Sequence, residues 1–529
     1  MAAPAARRDR DSAADVGVTL KPGGGAVDPD VTPAGRLWAT VRAVWYRHQD
    51  MLRNLVALLA TTGLTSALGF VYWNIAARLF SQQAVGYGTA AVSAMTFIST
   101  VGVSGLGMLL IGDLPKRQNR AGLISAAMLA AAGGSIILAL IFVLIVPHLT
   151  THYNDIAGSV GAASLFCAGV ALTAMSVVFD LATIGMQRGS LQLIRNLAFV
   201  VIKLLTLVGA AVFVHYSTGI GLFASWVVAI PAALLLIGVR LLFARAPILA
   251  RPDWQVLRSL ARVLFAHNWL NLALQVRGLI TPVIVAAILA PSINAAYYVA
   301  MTICTGLFIL PMHLSTALFA ATSNDHKLVA RKLRFAARVS LALGIPAMVV
   351  LGVGAHFILS LFGRGYAQAA TLPMVLIVLN YLPTLPNSFY ISVSRATGRI
   401  SQAAVIMSIF AVIEVAGVVI GCVRYGLVGM AAASLGLSVL EAMVTGPAVL
   451  RAALGAGRHR RGESQAGASV TGVSTVSTRL VSSAADMALA RDQQLAGLAM
   501  LISMATPVNI AAVTDHGHGG LRLLAKQQE

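Results

Sequence analysis

The feature that most constrains this chain is the alternation of its Lys and Arg residues along a succession of long apolar segments. Twelve such segments can be followed, over approximately 54–80, 85–112, 121–147, 158–184, 190–214, 219–243, 263–289, 293–320, 336–362, 369–393, 400–422 and 426–450. Crossing about 30 Å of hydrocarbon takes roughly 20 apolar residues in a helix, and each segment meets that length. The even-numbered gaps and their flanks carry Lys116, Arg117 and Arg120; Arg188 and Arg195; Arg240, Arg245, Arg251, Arg258 and Arg262; Lys327, Arg331, Lys332, Arg334 and Arg338; and Arg395 and Arg399, seventeen cations in all. The odd-numbered gaps carry only Arg78, Arg364 and Arg424. Basic loops stay on the cytoplasmic side during insertion. A missed segment would invert the parity downstream, so the alternation predicts twelve spans with residues 50 and 451 both cytoplasmic.

Composition agrees. The chain is 58% hydrophobic and only 11% charged, against about 25% charged in a soluble domain. The net charge of +20 sits in short loops and tails rather than on a folded soluble surface. It reads as a topology determinant and an attraction to anionic membrane lipid, not as a nucleic-acid surface. Cys167, Cys304 and Cys422 lie inside apolar stretches with no CxxC spacing. They read as small core residues, with no metal or disulfide role.

The expected class is an all-α integral membrane protein of about twelve transmembrane helices, in two six-helix lobes around a central cavity. Residues 1–50 are polar and Arg-rich and read as a disordered cytoplasmic tail; the apolar run that follows is too long for a signal peptide. Residues 51–245 form the first lobe, 246–262 a cytoplasmic linker between lobes, and 263–452 the second lobe. Residues 453–529 read as a cytoplasmic tail with a membrane-surface segment at 495–513. The lobes look duplicated: AARLFSQQAVGYGTA ends segment one and AAILAPSINAAYYVA ends segment seven, with Leu79 to Tyr87 and Leu289 to Tyr297 equally spaced at an offset of 210. Parallel repeats of this kind build transporters.

Enzymatic signatures are lacking. There is no GxxxxGK[ST] phosphate cradle, no HExxH, and no carboxylate pair in a sizeable aqueous domain. The longest external gap, 148–157, offers only Asp155. The reading is a non-enzyme that needs no cofactor and no metal. The informative residues are then the ionisable groups inside spans, which are costly in hydrocarbon and face a wet cavity or a partner. Arg277 lies roughly 21 Å from the cytoplasmic start of segment seven, and Lys203 and Glu414 are at similar depth. Arg277 reads either as buried against Glu414 or a helix carbonyl, or as a cationic site for an anionic substrate. Lys203 either joins that site or snorkels outward. Asn271 and Gln275 add a polar face to segment seven. Asp180 and Arg195 sit at matching depth on consecutive antiparallel segments and are expected to pair. Glu441 either pairs with a neighbouring cation or lines the cavity.

With twelve spans, two lobes and the run Ala77, Arg78, Leu79, Gly86, Tyr87 and Gly88 closing segment one, the chain resembles the Wzx-type polysaccharide flippases of the multidrug/oligosaccharidyl-lipid/polysaccharide (MOP) exporter superfamily. Here Leu79 follows Arg78 directly, without the family's usual spacer and Gly. The stretch FILPMHLSTALFA at 308–320 is also similar to a family run. The resemblance implies a transporter of the bacterial cytoplasmic (inner) membrane. It would flip an undecaprenyl-diphosphate-linked oligosaccharide from the cytoplasmic to the outer leaflet by alternating access. Its partners would be that lipid-linked substrate, membrane lipids, and the polysaccharide polymerase and glycosyltransferases of the same pathway. It makes Arg277, Lys203, Asn271, Gln275 and Arg78 the substrate-binding residues, and Glu414, Asp180 and Glu441 the ion-coupling residues. Other readings stay open: a MurJ-like lipid II flippase, a cation-coupled multidrug exporter of the same superfamily, and, from another class, a membrane-bound polymerase or ligase, which would want a large external loop.

Overall fold

The computed structural model describes residues 68–106, 119–186, 188–212, 218–243, 250–255, 278–322 and 329–455, together with positions 110, 114, 257 and 275. The chain divides into two units, Met1–Leu52 and Arg53–Glu529, and every described residue lies in the second. The described residues are helical, with no strand among them. This follows from their composition: backbone groups without water must bond within their own segment. Both tails, most of the expected inter-lobe linker and the segment 495–513 lie outside the described residues.

In chain order the described helices of six residues or more are α1 (68–79), α2 (Gln82–Val103), α3 (Arg120–Leu149), α4 (Val160–Gly185), α5 (Gly189–Val212), α6 (Gly219–Phe243), α7 (Gly278–Ile288), α8 (Pro291–Thr322), α9 (Val329–Val353), α10 (Ala355–Ser360), α11 (Arg364–Leu379), α12 (Tyr381–Ala396) and α13 (Ile400–Leu454). Eight of the described helices are long and apolar enough to cross a membrane, and the pair α11 and α12, bent by 40°, adds a ninth. Several starts are set by side-chain caps that satisfy a first-turn N–H. Ser81, Asn119, Ser159 and Thr218 accept from Ala84, Gly122, Ala162 and Gly221 at 3.1 to 3.2 Å.

Two departures from straight helices matter. Asn380 joins α11 to α12 at the bend, within the expected span 369–393. In α13, Tyr425 and Gly426 leave helical geometry, with Gly426 at φ 61°, a conformation open to glycine. The chain reverses there. The Ser434 hydroxyl donates to Glu414 Oε1 at 2.9 Å. A Cβ placed on Gly421 would stand 2.5 Å from the Gly429 carbonyl oxygen. Residues 400–424 and 427–454 are therefore antiparallel arms held close by glycine, in line with the two segments expected at 400–422 and 426–450.

Helices α2 to α6 pack mainly among themselves, as do α8 to α13, and α2 against α8 is the principal contact between the groups. The ends sort by charge. The cation-poor gaps meet at one end. Asn294 Nδ2 donates to the Gly86 carbonyl (2.9 Å) and to Thr89 Oγ1 (3.1 Å), and Gln82 Nε2 to the Ser292 carbonyl (2.9 Å). The Thr150 hydroxyl donates to the Ala287 carbonyl (2.6 Å), and Asn74 Nδ2 to the Leu361 carbonyl (3.1 Å). A Cβ on Gly219 would reach 2.4 Å from Tyr87 Cβ. At the opposite end, two cation-rich gaps meet. The Asp253 amide donates to the Gly122 carbonyl at 3.0 Å, and the Ala250 amide to Ser125 Oγ at 3.0 Å. Leu257, from the same linker, is buried in a cluster with Leu123, Ala127 and Val178.

The duplicated elbows face each other. Gln82 and Ser292, 210 residues apart and equivalent in the repeat, are hydrogen-bonded. A Cβ on Gly86 would fall 1.7 Å from the Pro291 carbonyl oxygen, so only glycine allows this approach of α2 to α8.

Candidate functional site

Helix α5 carries its polar side inward. Gln192, Arg195, Asn196, Phe199 and Lys203 are buried and recur at helical spacing on one face. Leu197, Val201, Leu205, Val208 and Val212 are exposed on the other side. In a bilayer this arrangement presents the apolar face to acyl chains and the ionisable face to the protein interior.

Arg195 is fully engaged. Its Nε donates to Asp180 Oδ1 (2.9 Å) and its Nη2 to Asp180 Oδ2 (2.6 Å). The guanidinium also bonds Ser176 Oγ and Asn196 Oδ1. Asp180 and Arg195 are 0% and 3% exposed. A planar guanidinium against a carboxylate in this two-bond geometry is among the strongest neutralising contacts available. The pair expected from matching depth is formed, and it ties α4 to α5.

Lys203 is held differently. Its Nζ lies 3.8 Å from the ring centroid of Trp226, 4.1 Å from Tyr72 and 5.2 Å from Phe199. The side chain is 5% exposed, so the outward snorkelling weighed from sequence does not occur. Ring faces attract an ammonium through their quadrupole, most strongly where water is excluded. Among the described residues the carboxylate in ion-pair contact with α5 is Asp180, and it is taken by Arg195. Lys203 therefore rests against ring faces rather than against an acid.

Arg195 borders a small cavity of about 40 Å³ between α2, α4, α5 and α6, whose lining includes Thr96, Thr173, Ser176, Phe199 and Trp226. Trp226 and Phe199 both line this space and cage Lys203. Gln192 Oε1 and Asn196 Nδ2 make no hydrogen bond among the described residues, so hydrogen-bonding capacity is left along the same face.

The other expected site residues divide. Arg277 and Asn271 lie outside the described residues, and Gln275 is helical and half-buried. Arg78 is exposed at the end of α1, where its Nε donates to Asn74 Oδ1 at 3.0 Å; it is not among the residues lining the cavity. Glu414 and Glu441 are buried in the second helix group. There Asn387 receives the Thr445 hydroxyl at 2.8 Å, and Ser315 and Ser392 bond each other. The structure thus does not bring Asp180 together with Glu414 and Glu441; they sit in different helix groups. Among the described residues no cluster of His, Cys, Asp and Glu could hold a metal. Cys167, Cys304 and Cys422 are free thiols.

Sequence reasoning missed the rings around Lys203 and the polar partners of Arg195. The spacing of Gln192, Asn196 and Lys203, at i, i+4 and i+11, was a legible signal for one buried face. Nothing local links Lys203 to Tyr72 or Trp226.

No protein-family model and no curated protein matches the sequence. Two solved structures share the fold over most of their length. One is a multidrug resistance MATE family transporter of the MOP superfamily in an inward-facing conformation. It has TM-score 0.55 and 12% identity, with 76% of this chain and 98% of that one covered. The other is the lipid II flippase MurJ in an inward closed conformation, at TM-score 0.56 and 12% identity, covering 75% of this chain and 90% of that one. The chain is a multi-pass membrane protein with the fold of MOP-superfamily transporters.

Proposed function

We propose that this chain flips a lipid-linked oligosaccharide, carried on an undecaprenyl-diphosphate anchor, from the cytoplasmic to the outer leaflet for cell-surface polysaccharide export. The single observation that supports this most is the buried Lys203, which has no carboxylate partner among the described residues and is held by Trp226 and Phe199 of the cavity wall, where Arg195 is already neutralised. An interior with uncompensated positive charge favours an anionic headgroup and repels a cationic drug. Buried charge in a membrane protein is costly unless it serves a pathway or a partner. The diphosphate supplies the negative charge, and charge-assisted hydrogen bonds reward its entry.

In this reading the two helix groups act as lobes around a central cavity, and the cation-poor end faces outward. Arg277, Asn271 and Gln275, from the sequence just before α7, are the further headgroup-binding residues of this reading. The glycan passes through the cavity while the polyprenyl tail stays in lipid. Glu414 and Glu441 are the groups through which an ion gradient would act, whereas Asp180 is committed to Arg195. The fold is shared equally by a multidrug transporter and by a lipid II flippase, so the choice between cargoes rests on charge.

The test is flipping by purified protein in proteoliposomes, read as the exposure of a lipid-diphosphate oligosaccharide to an impermeant glycosidase. Wild type moves the lipid. Arg277→Ala and Lys203→Met, inserted at wild-type levels, lose at least tenfold in rate. Efflux of cationic dyes with no movement of the diphosphate lipid would overturn the assignment.

A further inference from the structure

The rings that cage Lys203 do not stop at the cavity wall. Tyr72 lies edge-on to Trp73 (centroids 5.0 Å apart) and to Trp226 (5.4 Å). Trp73 lies 5.9 Å from Trp226 and 4.9 Å from Tyr298. Tyr298 belongs to α8, in the other helix group. One turn from it, Asn294 closes on Gly86 and Thr89 of α2. An unbroken set of rings therefore runs from the ammonium, through the cavity wall, to the contact that closes the two groups together. Their levels agree: counted from the helix end at the cation-poor side, Tyr72, Trp226 and Tyr298 each stand seven residues in and Lys203 nine. At about 1.5 Å per residue all four lie roughly 10–14 Å inside the same end of the bundle.

We infer that Lys203 is a latch: its ammonium, gripped by Trp226 and Tyr72, pins the Trp73–Tyr298 contact and so holds the cation-poor end of the transporter closed until an anion in the cavity draws the ammonium off the rings. The physical basis is competition for one charge. While the cavity holds no anion, the ring faces are the best partners available to the ammonium. A phosphate offers it a full opposite charge and charge-assisted hydrogen bonds. When Nζ leaves, Tyr72 and Trp226 lose the cation that orders them, and the Trp73–Tyr298 contact loses its backing. A ligand shifts such an equilibrium only through differential affinity for the two states. Here the difference is that the closed state offers the ammonium to rings and the open state offers it to cargo. The inference rests on the transporter reading of the site but not on the identity of the cargo.

The closing experiment needs no cargo. Ala90 is buried one turn past Gly86 on α2, just behind the seal. A full-length chain carrying Ala90→Cys, with Cys167, Cys304 and Cys422 changed to Ala, is labelled in right-side-out spheroplasts by an impermeant maleimide. Lys203→Met removes the charge and keeps the length; it raises the labelling rate on the order of tenfold or more, the scale of a desolvated cation–ring contact. Lys203→Arg, which also sits on ring faces, stays near the parent rate. Tyr72→Leu dismantles the cage from α1 and behaves as Lys203→Met; it serves as the reading where the latter does not accumulate. Parent-like labelling of Lys203→Met or Tyr72→Leu overturns the latch, and so does equal labelling of the Met and Arg variants, which would mark packing rather than charge. Failure to flip a diphosphate lipid would sink the cargo assignment while leaving this labelling pattern intact.

Discussion

Removing the Asp180 carboxylate tests whether the buried pair is a clamp or a working part of transport. Asp180→Ala leaves the Arg195 guanidinium, 3% exposed, with Ser176 and Asn196 as neutral partners only. Breaking one side of a buried pair costs about 3–5 kcal/mol, because the remaining charge has neither water nor counter-ion. At 1.4 kcal/mol per tenfold that is a shift of roughly two to four orders of magnitude in the folding equilibrium. The desolvation of the orphaned charge dominates this figure. Replacing both partners by apolar residues of similar size is often neutral or stabilising. The double variant Asp180→Leu with Arg195→Met is therefore expected to recover what Asp180→Ala loses. The assay is monodispersity and thermal stability in detergent, followed by flipping in proteoliposomes. The clamp reading expects Asp180→Ala to collapse, and the double variant to fold and to retain transport. A double variant that folds normally yet cannot transport would refute it and return Asp180 to ion coupling. An Asp180→Ala protein as stable as wild type would refute the energetics.

Reporter fusions at Lys116 and Lys332, both in cation-rich gaps, should read cytoplasmic; an external reading at either would overturn the orientation. Gly86→Ala places a Cβ where the Pro291 carbonyl oxygen stands, at 1.7 Å. It should force the closed end apart and raise maleimide labelling of the Ala90→Cys protein; labelling at the parent rate would show that α2 and α8 do not hold this approach in the membrane.

The threading was legible because it depends on composition along the chain. Insertion reads apolar length and the placement of cations, both of which are local. The gaps written as cation-poor meet at one end, through Asn294, Gln82, Thr150 and Asn74. The span 219–243 coincides with α6, and 121–147 and 158–184 differ from α3 and α4 by one or two residues. The Asp180–Arg195 pair was also legible, because depth along two neighbouring antiparallel helices is set by counting residues. The repeat at an offset of 210 marked the two elbows, though not that they would touch. Glycine at position 86 permits the contact, but what it meets is 205 residues away.

Lys203 shows where sequence stops. Counting gives its depth in the bilayer and therefore its cost, so the residue stands out as one that needs a reason. It does not give the direction of the side chain around the helix axis, or what stands opposite. Those depend on how α5 packs on α6 and α1, which brings Trp226 and Tyr72 from 23 and 131 positions away. A carboxylate at the same depth would have been an equally good guess. Hydropathy, acting residue by residue along the chain, thus marked where the described apolar helices fall and in what order. Only helix packing, which joins residues with no sequence relation, decided that this ammonium rests on rings and that those rings reach the closed end of the bundle.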